Sequence, residues 1–197
     1  MRLVGLRNRS GFTLMETLIV VSIAMIVMVT AVPNIANAIA NAKLRASMTS
    51  LSGLFQNTRM VAVQQNKIKT ACFQGGTTTR LMGFIRNAGD TCTLSVLDSQ
   101  VEMEAPITKI PAPTGPGAPP VISNSILGFT PQTSDPSFNT RGLPCLYSSG
   151  TCPTNYGFIY YFKDTRAPGA AGGWAAISLS PAGRIKRWFW NGSIWTD

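Results

Sequence analysis

Residues 12–32 read FTLMETLIVVSIAMIVMVTAV, and this stretch decides how the rest of the chain is read. It carries one charge, Glu16, and is followed by Pro33. About twenty helical residues span roughly 30 Å, the thickness of a bilayer core. Arg2, Arg7 and Arg9 precede the run, and the next cation is Lys43. By the positive-inside bias, residues 1–11 stay cytoplasmic and the rest is exported. A secretory signal places its apolar stretch before the cleavage site and discards it. Here a polar, basic MRLVGLRNRSG comes first, and the apolar run follows Gly11. An acid at mid-membrane costs roughly 2.5–3.5 kcal/mol, so Glu16 is a functional candidate. Its place near the end of the run lowers that cost. A simple uncleaved signal anchor is the plainer reading of the same residues.

Beyond Pro33 no Gly or Pro occurs until Gly53, so the helix continues. Pro33 removes one backbone hydrogen bond and predicts a kink. Leu44, Met48, Leu51, Phe55, Thr58 and Ala62 recur at spacings of four and three, which is one helical face. Arg45, Gln56 and Arg59 fall on other faces. After Asn66 the texture becomes β-like. Strands are predicted at 69–73, 81–86, 93–97, 157–163, 174–180 and 185–190. Gly75-Gly76 and Ala88-Gly89-Asp90 supply turns. Residues 105–120, APITKIPAPTGPGAPP, read as an extended surface loop. Gly169–Gly173 reads as a flexible loop. Asn191-Gly192 reads as a tight hairpin turn into Ser193-Ile194-Trp195. The expected fold class is α+β, a long N-terminal transmembrane and amphipathic helix packed on an antiparallel sheet. The expected divisions are 1–11 leader, 12–32 transmembrane helix, 33–66 amphipathic continuation and 67–197 exported β-rich domain.

The four cysteines, Cys72, Cys92, Cys145 and Cys152, suggest disulfides in an exported domain. Three pairings are open. The favoured one joins Cys72 to Cys92 across a hairpin and closes a short loop with Cys145 and Cys152. The chain has no Cys-x-x-Cys and no His, which argues against a zinc site. Lack of His also removes the commonest general base and nucleophile activator, so the chain is read as a non-enzyme with no cofactor. Glu102 and Glu104 share one strand face and read as a solvated edge. Seventeen Lys and Arg against eight Asp and Glu give +9. Without the three leading Arg residues the balance is 14 against 8, still +6. Such a surface suits anionic partners, or serves solubility alone.

Residues 183–190, GRIKRWFW, interleave cations with large aromatics. On a strand, Arg184, Lys186, Trp188 and Trp190 project to one side, and Ile185, Arg187 and Phe189 to the other. The first side can hold phosphates and stack bases. Equally, the Trp residues can be core with Arg and Lys stems packed over them.

Gly11-Phe12-Thr13-Leu14-Met15-Glu16 resembles the processing site of type IV prepilins and type II secretion pseudopilins. The resemblance implies peptidase cleavage between Gly11 and Phe12, N-methylation of Phe12, and a helix-bending Pro33. It also implies that Glu16 meets the new amino terminus of a neighbouring subunit during filament assembly. The N-terminal helix, the Phe129…Phe138-Asn139-Thr140-Arg141-Gly142 region and the 174–197 strands are similar to the GspH/FimT group of minor pilins and pseudopilins. Some FimT-like members bind DNA for transformation through a C-terminal Gly-Arg-x-Arg. Here Gly183 and Arg184 match, the last position is Lys186, and Arg187 follows. The resemblance implies a minor subunit of a type IV pilus or secretion pseudopilus, in the tip complex, with DNA capture as the alternative. Implied partners are other pilin subunits, prepilin peptidase, the inner-membrane assembly platform and DNA. The implied location is the bacterial inner membrane, with a periplasmic C-terminal domain.

Overall fold

In a computed structural model, residues 13–75, 80–93, 100–103, 107–115, 117–164 and 173–197 are described, except the side chains of 30–34. Helix α1 runs Leu14–Gln65. The chain divides into two units, the first through Ala38 and the second Ile39–Asp197.

In the first unit every described side chain from Thr13 to Val29 is exposed, although most are apolar. Two of the polar side chains turn back on the helix. Thr17 Oγ1 donates to the Leu14 carbonyl and Ser22 Oγ to that of Leu18, both at 2.8 Å. Hydroxyls satisfied this way need no water. Among the described residues no helix is long and apolar enough to cross a membrane. The run read from the sequence includes Phe12 and the side chains of residues 30–32, which lie outside that set. The membrane span therefore rests on the sequence. The helix passes through Pro33 without a break; that side chain, and with it the expected kink, lies outside the described set.

The second unit is built on the rest of α1. All six residues of the predicted stripe are buried, joined by Leu54, while Arg45, Gln56 and Arg59 are exposed. Thr58 fits this apolar face because its hydroxyl donates to the Leu54 carbonyl at 2.7 Å. The helix stops where Asn66 adopts φ 50°. The Lys67 amide then donates back to the Ala62 carbonyl at 3.2 Å, a left-handed C-terminal cap.

Beyond the helix lie eleven short strands: β1 Lys69–Gln74, β2 Met82–Asn87, β3 Gln100–Glu102, β4 Ile107–Ile110, β5 Pro131–Gln132, β6 Ser137–Phe138, β7 Pro144–Cys145, β8 Gly157–Asp164, β9 Trp174–Leu179, β10 Ile185–Trp190 and β11 Trp195–Thr196. They form two sheets, in the order β3-β2-β1-β6-β7 and β11-β10-β9-β8-β4. Their pairings are antiparallel; β5 alone runs parallel to β8. Helix and antiparallel sheets match the expected α+β class.

Alternation along β8 explains the two cores. Phe158, Tyr160 and Phe162 join the α1 stripe, with Phe138, Ile177 and Leu179. Ile159 and Tyr161 point to the opposite face and pack with Ile122, Ala176 and Trp188. Both faces of this sheet are covered, so its central strands read as near-continuous apolar runs. At Gly83 the helix comes so close that a Cβ would sit 2.5 Å from Leu54 Cδ2.

Three expectations need correction. The stretch 105–120 is not all loop, because Ile107–Ile110 pairs with Tyr161–Asp164 of β8. Ile107 is buried, and the flanking Pro residues hide a strand this short. The segment after β4 covers the outer face of the second sheet: the Ile122 amide donates to the Tyr161 hydroxyl and Trp195 Nε1 to the Pro120 carbonyl. The final hairpin is not a two-residue turn. Trp190 faces Trp195, leaving Asn191–Ile194 as a four-residue loop. Asn191 Oδ1 accepts from the amides of Ser193 and Ile194 at 2.9 Å, a side-chain turn that sets this longer loop. Thr93 is outside any strand, and residues 94–99 lie outside the described set. Strand β3, Gln100–Glu102, pairs with β2 at the edge of the first sheet. Gly169–Gly172 and Glu104 lie outside the described residues; Glu102 is exposed, as read from the sequence, and pairs with Arg80 at 2.7 Å.

Both expected disulfides are present, Cys72–Cys92 and Cys145–Cys152. The first ties β1 to the segment after β2. The second closes a small hairpin in which Ser148 and Thr151 exchange backbone hydrogen bonds. Cys72, Cys92 and Asp135 bring ligand-type atoms within 4.8 Å of one another. The two sulfurs are already bonded to each other, so they offer no thiolate pair to a metal.

Stability should respond to two changes in this unit. Gly53 is exposed in mid-helix with open space around its Cβ position. Gly53→Ala is expected to stabilise the Ile39–Asp197 unit by about 0.5–1 kcal/mol, read as a higher thermal midpoint. Replacing Cys72 and Cys92 together by Ala is expected to cost about 2–4 kcal/mol, read as a lower urea midpoint.

Candidate functional site

Two regions carry functional residues, one at each end of the chain. At the start, Gly11 and Phe12 lie outside the described residues. Thr13 immediately precedes α1, and its Oγ1 accepts from the Glu16 amide at 3.3 Å. Glu16 sits in the first turn of the helix. A carboxylate there is favoured by the helix dipole. That local reason for Glu16 stands beside any role between subunits.

At the other end, β10 alternates as the sequence predicts. Ile185 and Phe189 pack toward α1, while Trp188 joins the core on the outer face. Arg187 is on the α1 side, where its Nη1 donates to Thr49 Oγ1 at 2.8 Å. Arg184 and Lys186 are on the outer side and line a cavity of about 340 Å³ with Trp188, Ser178 and Phe129. The three C-terminal cations are thus divided, two to one face and one to the other. Arg187 does not stand in for Lys186 in a Gly-Arg-x-Arg arrangement.

The indoles of this region are largely occupied. Trp188 is 5% exposed, and its Nε1 donates to Ser178 Oγ at 2.9 Å. Lys186 Nζ lies 4.8 Å over the Trp188 ring and 2.8 Å from Asp197 Oδ2. The hydrogen bond and charge of Lys186 hold the Asp197 carboxyl below its usual range. Trp190 packs on Trp195, with centroids 5.6 Å apart. Trp188 therefore follows the core reading, with the Lys186 ammonium over its ring.

Two further charged arrangements escaped the sequence. Lys109 Nζ lies 2.7 Å from Asp135 Oδ1, with the rings of Phe73 and Tyr160 at 4.5 and 4.8 Å. Burial, with the Asp135 charge second, pushes the Tyr160 hydroxyl well above its usual range. That hydroxyl stays protonated and donates to the Ser134 carbonyl. No sequence signal links Lys109 to Asp135. The second arrangement does have one. Arg45, Thr49, Ser52, Gln56 and Arg59 recur at helical spacing, a polar line beside the buried stripe.

Arg59 is held under two turns. A Cβ on Gly142 would lie 2.8 Å from Arg59 Cγ, and one on Gly183 would lie 3.5 Å from Arg59 Nη1. Both glycines have positive φ, 74° and 83°, so each turn also needs the residue's conformational freedom. The first turn is fastened by Asn139, whose Oδ1 accepts from the amides of Arg141 and Leu143.

Residues 6–32 match the prokaryotic N-terminal methylation motif. The match takes in part of the leader and the apolar run, and stops far short of the β strands. No curated protein and no solved structure matches the chain. This motif, carried on a helix that leads into an α+β domain, supports a type IV pilin-like or pseudopilin reading of the chain.

Proposed function

We propose that the chain is a minor subunit of a type IV pilus or a type II secretion pseudopilus, of the GspH/FimT kind. It is made as a precursor and cut between Gly11 and Phe12 by prepilin peptidase. Residues 12–32 hold it in the inner membrane with the β-rich domain in the periplasm. The assembly platform then adds it to a filament, where it joins other minor subunits at the tip. The methylation motif at 6–32 carries this reading. The exposed apolar side chains of Leu14–Val29 support it, since such a helix needs lipid or neighbouring helices around it. In the filament, Glu16 of one subunit pairs with the amino terminus of another. Pairing two buried charges is far cheaper than burying either alone, so the contact sets register.

Two substitutions test this in cells. Gly11→Ala is expected to leave the precursor uncut, seen as a mass larger by the leader. Glu16→Ala is expected to be cut and inserted normally, yet to fall roughly tenfold or more in sheared filaments. Normal cleavage of the first variant, or normal incorporation of the second, would sink the reading.

One observation favours DNA capture as a second role: Arg184 and Lys186 share one cavity on the outer face. Lys in place of Arg keeps the charge but loses the planar fork. Binding of duplex DNA to the Ile39–Asp197 unit is expected to weaken steeply with salt and to be lost in Arg184→Ala with Lys186→Ala. Arg187→Ala, on the opposite face, is expected to leave it unchanged. Absence of binding at low salt would remove this role and leave the structural one.

A further inference from the structure

The recess between α1 and the start of β10 is not used by either reading. It has a volume of about 400 Å³, and Arg59 and Arg187 reach it together with Ser52 and Gln56 of α1. Its apolar floor, Phe55 and Phe138, is fully covered by neighbours, at 0% and 1% exposure. No carboxylate is present among the described residues that line it. Both guanidinium groups are positioned by the fold. Arg187 is tied to Thr49, and Arg59 lies beneath the Gly142 and Gly183 turns. Two pre-placed guanidinium groups beside an amide and a hydroxyl make a donor set for a carboxylate.

We propose that this recess is a docking site for carboxylate side chains of an adjoining protein subunit; this rests on the reading of the chain as a filament component. Without the three Arg residues of 1–11 the chain still carries 14 Lys and Arg against 8 Asp and Glu, so its stable neighbours in an assembly present negative charge. A cavity of this size admits one or two side chains, not a duplex. With Phe55 and Phe138 covered, it offers no ring face on which a base can stack. An acidic protein surface is thus the partner that the recess fits. Arg45, on the same line of α1 and 5.1 Å over the Phe189 ring, extends the positive strip beyond the recess.

The test uses the full chain in detergent micelles and a fluorescent peptide that alternates Glu and Ser. Binding is expected to weaken with salt. It is expected to fall roughly tenfold or more in Arg59→Gln with Arg187→Gln, as two charge-assisted hydrogen bonds are lost. Gln56→Glu, at an exposed helix position, places a negative charge in the recess without touching the core, and is expected to lose a similar amount. Arg184→Gln, on the far face, is expected to change nothing. Equal binding of a Gln–Ser peptide would overturn the proposal, as would undiminished binding in Gln56→Glu. Tighter binding of a single-stranded oligonucleotide through Arg59 and Arg187 would overturn it in favour of nucleic acid. Leader cleavage in cells, measured on the same variants, separates the two readings. Lost peptide binding in normally cleaved protein leaves the filament reading intact, whereas an uncut wild-type chain undermines that reading.

Discussion

The second unit depends on one constraint, which is that the apolar stripe of α1 between Leu44 and Ala62 must be removed from water. Leu44, Met48, Leu51, Leu54, Phe55 and Ala62 are all at 3% exposure or less. Each large side chain buried this way contributes about 1.5–3 kcal/mol. No single short strand can cover such a stripe. Two sheets do it together, with Phe138 from one and Phe158, Tyr160, Phe162, Ile177 and Leu179 from the other. The close approach at Gly83 follows from packing the first sheet on the helix.

Covering that stripe creates a second need. The sheet that supplies Phe158, Tyr160 and Phe162 also presents Ile159, Tyr161 and Trp188 on its back. The Pro- and Gly-rich segment closes over them, fastened by Tyr161 and Trp195 to the backbone near Pro120. A stretch with the composition of a surface loop thus serves as a lid on a core.

These facts explain what could be read from residue order alone. The α1 stripe was legible because its period is that of one helix and every member obeys it. Strands β1, β2, β8, β9 and β10 were legible because each is at least six residues long and bounded by turn residues. Strands β5, β6 and β7 have two residues each, too few for any period to show. Strand β4 has four, hidden among prolines. The alternation of β10 was legible, but its meaning was not. With both faces of the sheet buried in part, order could not say whether Trp188 or Phe189 met the helix. The division of Arg184 and Lys186 from Arg187 follows from that choice. The Lys109–Asp135 pair and the cradle of Arg59 join residues far apart in the chain, which only the assembled sheets bring together.

The aromatic content of the chain has a spectroscopic consequence. It contains four tryptophans, Trp174, Trp188, Trp190 and Trp195, and all lie in β9, β10 and β11. Sheet β3-β2-β1-β6-β7 and the whole of α1 have none. Intrinsic indole emission is therefore a local reporter on one sheet and is silent on the other. Circular dichroism at helical wavelengths follows chiefly α1. The two signals are separable without any label, so the order in which helix and second sheet come apart can be read from the wild-type chain.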